Sequence, residues 1–431
     1  MKKSRRILAL ACICVFLCSM IGCGKNETSK TNAKPTQVET SKEEATPTPV
    51  AEETTPAAKE EETTPTAEPE ATETPTPEEV ALPENVSLKD IYAEYGIKVG
   101  TCMNPWTIQG NDLESLVTSQ FNSGTMENQM KPEATLDQAA SKEAGDLVVK
   151  FNDDVITVMK WAKEHDVLLR GHTLVWYSQT PQWIFRENFD NSGEFVDRDT
   201  MIARMESYIK QVFATISELG YSDIFYAYDV VNEAIMEDGS FRSDNNPWMS
   251  VIGEDYIWYA FKFAKKYAPE NIALFYNDYN EQYKVEAVKN MVATLVDEEG
   301  NSLIDGLGMQ CHLFTKDDLN TYLEAIKSYC SLGLQIQITE ADVGLGKYNL
   351  PEIATEDKLK EQGQYYYNLL DGILKIKQET NADLNSITFW GYADDMSWRK
   401  EYNPNLYNRK HERKPAYFAA ALMKEYAGFD E

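Results

Sequence analysis

The sequence has few of the residues that staple a fold. It holds seven cysteines in 431 residues, and four of them, Cys12, Cys14, Cys18 and Cys23, fall in the first 23. The other three, Cys102, Cys311 and Cys330, are odd in number and widely spaced. They make no disulfide framework, and no C-x-x-C pair suggests a structural metal. Stability must then come from a large core. Only four histidines occur, with no two at ligand spacing, so neither a metal site nor a cofactor is expected. Basic charge is short as well: 41 Lys and Arg stand against 70 Asp and Glu, a formal charge of −29. That excludes nucleic acid and anionic membrane surfaces as partners, because both need a basic footprint. A neutral polymer such as an uncharged polysaccharide fits. Glycine-rich phosphate loops are missing too, with neither G-x-G-x-x-G nor a Walker pattern. The apolar run Ile7–Ile21 stops at 15 residues, short of the about 20 that a membrane-spanning helix needs.

What is present divides the chain into three regions. Residues 1–23 place Lys2, Lys3, Arg5 and Arg6 before that apolar run, the pattern of an export signal. The run closes on Met20-Ile21-Gly22-Cys23, which resembles a bacterial lipoprotein cleavage box with Cys23 as the lipid attachment site. The alternative is an ordinary secretory signal cut elsewhere. Both place the body outside the cell, tethered through lipid in the first case and freely secreted in the second. Residues 24–84 are rich in Thr, Pro and Glu, with repeated Thr-Pro steps from Thr46-Pro47 to Thr76-Pro77 and almost nothing to bury. Such a segment cannot offset its ordering entropy and is expected to be a disordered linker. Residues 85–431 form the third region, expected to be one catalytic domain.

In that region short apolar segments alternate with longer helical patterns. Strands are predicted at Ile97–Met103, Ser119–Met126, Val167–Thr173, Ile224–Val231, Ile272–Tyr276, Gly306–Cys311, Leu334–Thr339 and Ser386–Gly391. Between them come amphipathic helical runs such as Phe151–Glu164, Asp199–Leu219, Gly253–Tyr267, Lys284–Asp297, Asp317–Cys330 and Glu356–Glu379, and Pro415–Tyr426 closes the chain. Eight strand–helix units are the arithmetic of an α/β (β/α)8 TIM barrel, with a doubly wound open sheet as the alternative. A barrel should carry its chemistry at the C-terminal strand ends. There the sequence places Glu127, Asn128 and Lys131, His172 and Trp176, Asn232 and Glu233, Tyr276-Asn277-Asp278-Tyr279-Asn280, Gln310 and His312, Glu340 and Asp342, and Trp390 with Trp398 in the following loop.

Glu233 and Glu340 end the fourth and seventh strands, positions that face one another across a barrel mouth. Paired carboxylates flanking a bond equip glycoside hydrolysis. Like charges at short range raise one pKa, which is expected to keep Glu233 protonated. The surrounding amides, cations and tryptophans suit sugar hydroxyls and sugar ring faces. Trp161 reads as core packing on a helix face, and His165 and His411 read as solvated surface residues.

The stretches Thr125–Lys131, Gly171–Trp176, Asp229–Ala234, Gln310–His312, Ile338–Val343 and Trp390–Trp398 resemble, in order, glycoside hydrolase family 10, the retaining endo-β-1,4-xylanases. The resemblance implies Glu233 as acid/base and Glu340 as nucleophile. It implies that Asn232 bonds the sugar 2-hydroxyl and that His312 and Asp342 orient Glu340. Glu127, Asn128 and Lys131 would grip the sugar on the non-reducing side. His172, Trp176 and Gln310 would line the cleavage subsite, with Trp390 and Trp398 covering it. The implied substrates are xylan and xylo-oligosaccharides, cut by a monomer through a covalent glycosyl-enzyme. Two features depart from the family pattern: Tyr228 where Trp is frequent, and the polar segment Asn403–Lys414. A polysaccharide-binding protein without chemistry and a barrel enzyme acting on cellulose or mixed glucans are the competing readings.

Overall fold

The computed structural model describes Pro83 and residues 86–429. The segment expected to be an export signal, Cys23 and nearly all of the expected linker lie outside the described residues.

Eight parallel strands close on themselves. They are β1 (Lys98–Met103), β2 (Ser123–Met126), β3 (Leu168–Gly171), β4 (Phe225–Asn232), β5 (Ala273–Asp278), β6 (Gly306–Met309), β7 (Gln335–Gly344) and β8 (Leu384–Phe389). Each pairs with the next, and β8 pairs with β1, so no edge is left open. The open-sheet alternative is thereby excluded. Around them run α1 (Asn111–Gln120), α2 (Asp153–Glu164), α3 (Arg198–Glu218), α4 (Tyr256–Tyr267), α5 (Val285–Ala293), α6 (Leu319–Cys330), α7 (Glu356–Thr380) and α8 (Pro415–Ala420). The core lies between the two layers and is almost wholly aliphatic and aromatic.

Local chemistry explains several helix starts. Asn152, Asp197 and Thr355 each accept a backbone N–H with their side chains at the heads of α2, α3 and α7, the usual satisfaction of orphan donors. Acidic residues occupy the first turn of all three, where the helix dipole favours them.

Several expected boundaries shift. Ser119 and Gln120 end α1 rather than begin a strand, because Leu113, Leu116 and Val117 recur at helical spacing and pack on the core from one helix. The helix expected from Gly253 starts at Tyr256, since Gly253 sits at φ +102°. α5 stops at Ala293, where the chain turns into a short bridge between Val296 and Ser302. The last expected helix breaks into α8 and a separate turn, Lys424–Tyr426. Trp161 is buried as expected. The expectation of solvated histidines is corrected. His165 is half-buried, stacked on Trp161 at 4.6 Å and bonded to Glu114. His411 lies edge-on to Tyr392 and 3.4 Å from Asp395.

Tyr228 is fully buried and faces outward from β4, toward Phe213 on α3 and over Gly171. A Cβ on Gly171 would come within 2.3 Å of that ring. The Trp-to-Tyr departure therefore lies in the packing between strand and helix, not in the barrel mouth.

Candidate active site

The barrel mouth is built by irregularities as much as by the strands. β4 gains an extra residue against β5, because Asp229 pairs with Phe275 while Val231 pairs with Tyr276. β7 gains one against β8, between Ile338 and Ala341. A bulge shifts the parity of the residues beyond it. These two come immediately before Asn232-Glu233 and at Thr339-Glu340, so both glutamates are re-aimed by a bulge.

Inside the mouth Arg170 makes a two-pronged ion pair with Asp229, and its Nε donates to Gln337 at 2.9 Å. His172 Nδ1 lies 2.9 Å from the same Asp229 carboxylate, which sets the ring. This buried charge cluster needs room. A Cβ on Gly308 would fall 2.4 Å from Asn277 Oδ1 and 3.0 Å from the Arg170 guanidinium.

Glu340 is buried yet surrounded by donors. Asn277 Nδ2 reaches its Oε1 at 2.9 Å and His312 Nε2 its Oε2 at 3.2 Å. Burial alone would raise its pKa; the His312 bond, the positive field of His172 and His312, and the Asn277 amide overcome that and hold it at about 2. His312 is the counterpart. Burial works against its charge, but Asp342, 3.1 Å from Nδ1, and Glu340 push its pKa up to about 9. Asp342 is in turn bonded by Arg399 from the loop after β8.

Glu233 is shifted the other way. It accepts from Gln310 Nε2 at 3.0 Å, Asn232 Nδ2 at 3.1 Å and Trp176 Nε1 at 3.0 Å. Its pKa is nevertheless raised, by burial first; Asp278 and then Glu340 add to the rise. The sequence assigned that rise to the other glutamate, whereas loss of water is the main cause. Asn277 Nδ2 also donates to Asn232 Oδ1 at 2.9 Å, so a chain of amides links the two carboxyls.

To one side lies a polar cluster. Lys131 Nζ donates to Asn128 Oδ1 at 3.0 Å and to Gln179 Oε1 at 2.7 Å, and sits 4.9 Å from the Trp176 ring. Asn104 donates to Glu127 at 2.8 Å and accepts from Gln129. Trp390 is buried, edge-on to His172 at 5.6 Å. Trp398 is 58% exposed, edge-on to His312 at 5.4 Å. With the Asn128 N–H donating to Gln129 Oε1 at 3.2 Å and the His172 ring 6.3 Å from that of Trp176, contacts run through all the strand-end residues expected to have a role. Sequence reading missed Asn104, Arg170, Gln179 and Arg399, and placed Asn277 at a strand end without a role. Arg170 left a signal, a charge directly after the apolar Val167–Leu169 run and inside the predicted strand. Asn277 left a weaker one, a polar residue at the end of an apolar strand.

A closed barrel whose mouth holds two glutamates with pKa values pushed in opposite directions, among amides and tryptophans, has the equipment of glycoside hydrolysis. Comparison with known proteins makes this specific: glycosyl hydrolase family 10 matches residues 87–423, and the chain belongs to that family. It is 36% identical over 363 residues to endo-1,4-beta-xylanase Y of Acetivibrio thermocellus, covering 79% of this chain and 32% of that protein. It is 33% identical to an endo-1,4-beta-xylanase of Geobacillus stearothermophilus, covering 77% of this chain and 97% of that one. The chain spans about a third of the first two curated relatives it matches. Among solved structures, the CBM22-1–GH10 modules of Clostridium thermocellum xylanase 10B, complexed with xylohexaose, superpose with a TM-score of 0.70. That match has 34% identity and covers 78% of this chain and 67% of that one. The endo-1,4-beta-xylanase of Caldicellulosiruptor owensensis gives a TM-score of 0.65 at 34% identity, covering 78% and 99%.

Proposed function

We propose that this chain is a retaining endo-β-1,4-xylanase that cuts internal bonds of xylan. The observation that carries the reading is the asymmetry of the two glutamates: Glu340 is held ionised at a pKa of about 2 while that of Glu233 is raised. In the first step Glu340 attacks the anomeric carbon as the glycosidic C–O bond breaks. Glu233 gives its proton to the departing oxygen. In the second step Glu233, now a carboxylate, takes a proton from water. That water attacks the same carbon and releases Glu340, with the configuration retained. Asn232 meets the 2-hydroxyl, and His312, backed by Asp342, keeps Glu340 aimed. Glu127, Asn128 and Lys131 hold the next sugar on the non-reducing side. His172, Trp176 and Gln310 line the cleavage subsite, and Trp390 and Trp398 cover it. These steps need no cofactor. The working location proposed is the outer cell surface, with lipid at Cys23 and the Thr/Pro/Glu-rich segment as spacer.

Reducing-sugar release from xylan and from cellulose tests the substrate. Xylan is expected to be cut far faster, into internal fragments. Preference for cellulose would move the enzyme to the glucan-cleaving reading, and no release from either would leave a binding protein.

A further inference from the structure

Glu233 has an unusual backbone. Strand β4 ends at Asn232, and Glu233 itself stands at φ +57°, a left-handed conformation that is unfavourable for a non-glycine residue. Such a residue keeps that shape only when its surroundings enforce it. Three groups do so here. Asn277 O accepts the Glu233 N–H at 2.9 Å. Arg242 Nε donates to the Glu233 carbonyl at 2.8 Å. The Tyr276 phenol oxygen accepts the N–H groups of both Ala234 and Ile235, each at 3.1 Å.

The third contact has an orientation requirement. A phenol carries one proton and two lone pairs. It can receive two amides only if its own proton points elsewhere. Asp278 Oδ2 takes that proton. Asp278 is held in turn by Lys284 Nζ at 2.7 Å and by the Tyr279 N–H at 2.8 Å. Tyr276, Asp278, Lys284, Ala234 and Ile235 are all buried, so no water can replace a lost partner at low cost.

We infer that Tyr276, with its proton drawn off by the Lys284-paired Asp278, is the positioning residue that holds the turn after β4 and so aims the Glu233 carboxyl. It touches no substrate and acts through the backbone. The inference rests on the proposed reading of Glu233 as acid/base.

The test is a leaving-group comparison on Tyr276→Phe. On xylan, where the departing oxygen needs a proton, kcat/KM is expected to fall about 10- to 100-fold, and on a dinitrophenyl β-xylobioside, whose leaving group needs none, less than about threefold. Trapping with a dinitrophenyl 2-fluoro-xylobioside, which stops at the Glu340 ester, counts the correctly folded sites in each preparation. Equal losses on both substrates per trapped site would reduce Tyr276 to a structural residue and overturn the inference, as would no loss on either. If Tyr276→Phe does not fold, Asp278→Asn and Lys284→Met carry the same comparison. The same unequal loss, smaller in size, is expected, and equal losses overturn the inference. Glu233→Ala is the control. If it shows no leaving-group dependence, the acid/base assignment fails, whatever the Tyr276 variants do.

Discussion

Glu340 and Glu233 make different demands on a substrate, and single substitutions should separate them. A nucleophile is needed whatever departs, so Glu340→Ala should lose nearly all turnover on every glycoside. Glu233→Ala should be crippled on xylan yet form the glycosyl-enzyme rapidly from an activated aryl glycoside, then stall for want of a base. Pre-steady-state kinetics should show a burst, and azide should restore turnover as a β-glycosyl azide. An α-azide, or a burst from Glu340→Ala, would reverse the assignment. The pH profile depends on the same pair. Glu340, lowered to about 2, stays ionised well into acid. Activity on xylan should therefore persist at low pH and fall as pH rises through the raised pKa of Glu233. On the activated glycoside the alkaline fall in kcat/KM should vanish, because no proton is then needed. Asn277 is a further lever on Glu340. Its two N–H groups go to Asn232 and Glu340, and its carbonyl accepts from Thr339. Asn277→Asp replaces a donor with a like charge. The acid limb of the profile should then move upward, read from kcat/KM on the activated glycoside.

At the scale of elements, the loop between β8 and α8 carries Trp398 and Arg399 over the mouth, and its polar composition has a structural purpose. Lys414 Nζ lies 3.1 Å from both Asp394 oxygens and donates to the carbonyls of Asn403 at 2.8 Å and Asn405 at 2.7 Å. The Asn405 N–H closes back on Asp394 at 2.8 Å. Lys414 thus clamps both ends of the loop. Burial lowers its pKa to about 8, against the opposing pull of Asp394. Removing one partner of a buried pair strands the other charge and costs about 3–5 kcal/mol. Lys414→Met should lower the Tm markedly, and in the folded fraction it should lower kcat/KM on xylan by loosening Trp398. Unchanged melting would show that the clamp is not needed. The polar run Asn403–Lys414 looked like a departure in sequence because its charges appear unpaired until the chain folds Asp394 against Lys414, 20 residues away.

On the scale of the whole molecule, the proposed export signal and linker would bear on where the enzyme works, not on how. Cys23→Ser should leave specific activity unchanged while releasing the protein from membranes or leaving an uncleaved precursor. If the unsubstituted protein never labels with a lipid precursor, plain secretion is the correct reading. The barrel was legible in the chain because its evidence is periodic and local. Eight apolar segments alternate with amphipathic runs, and polar residues recur at the segment ends. The types and order of the site residues were legible for the same reason, since each motif lies within a few consecutive positions. What tertiary structure alone decided is how those residues act. The bulges that aim Glu233 and Glu340 are offsets between neighbouring strands, and no single strand records them. Asn277 becomes part of the site only when β4, β5 and β7 bring Asn232, Asn277 and Glu340 within hydrogen-bond reach. The opposite pKa shifts of the two glutamates depend on burial and on partners tens of residues distant. Pairing and loss of water are properties of the closed barrel, and no stretch of sequence carries them by itself.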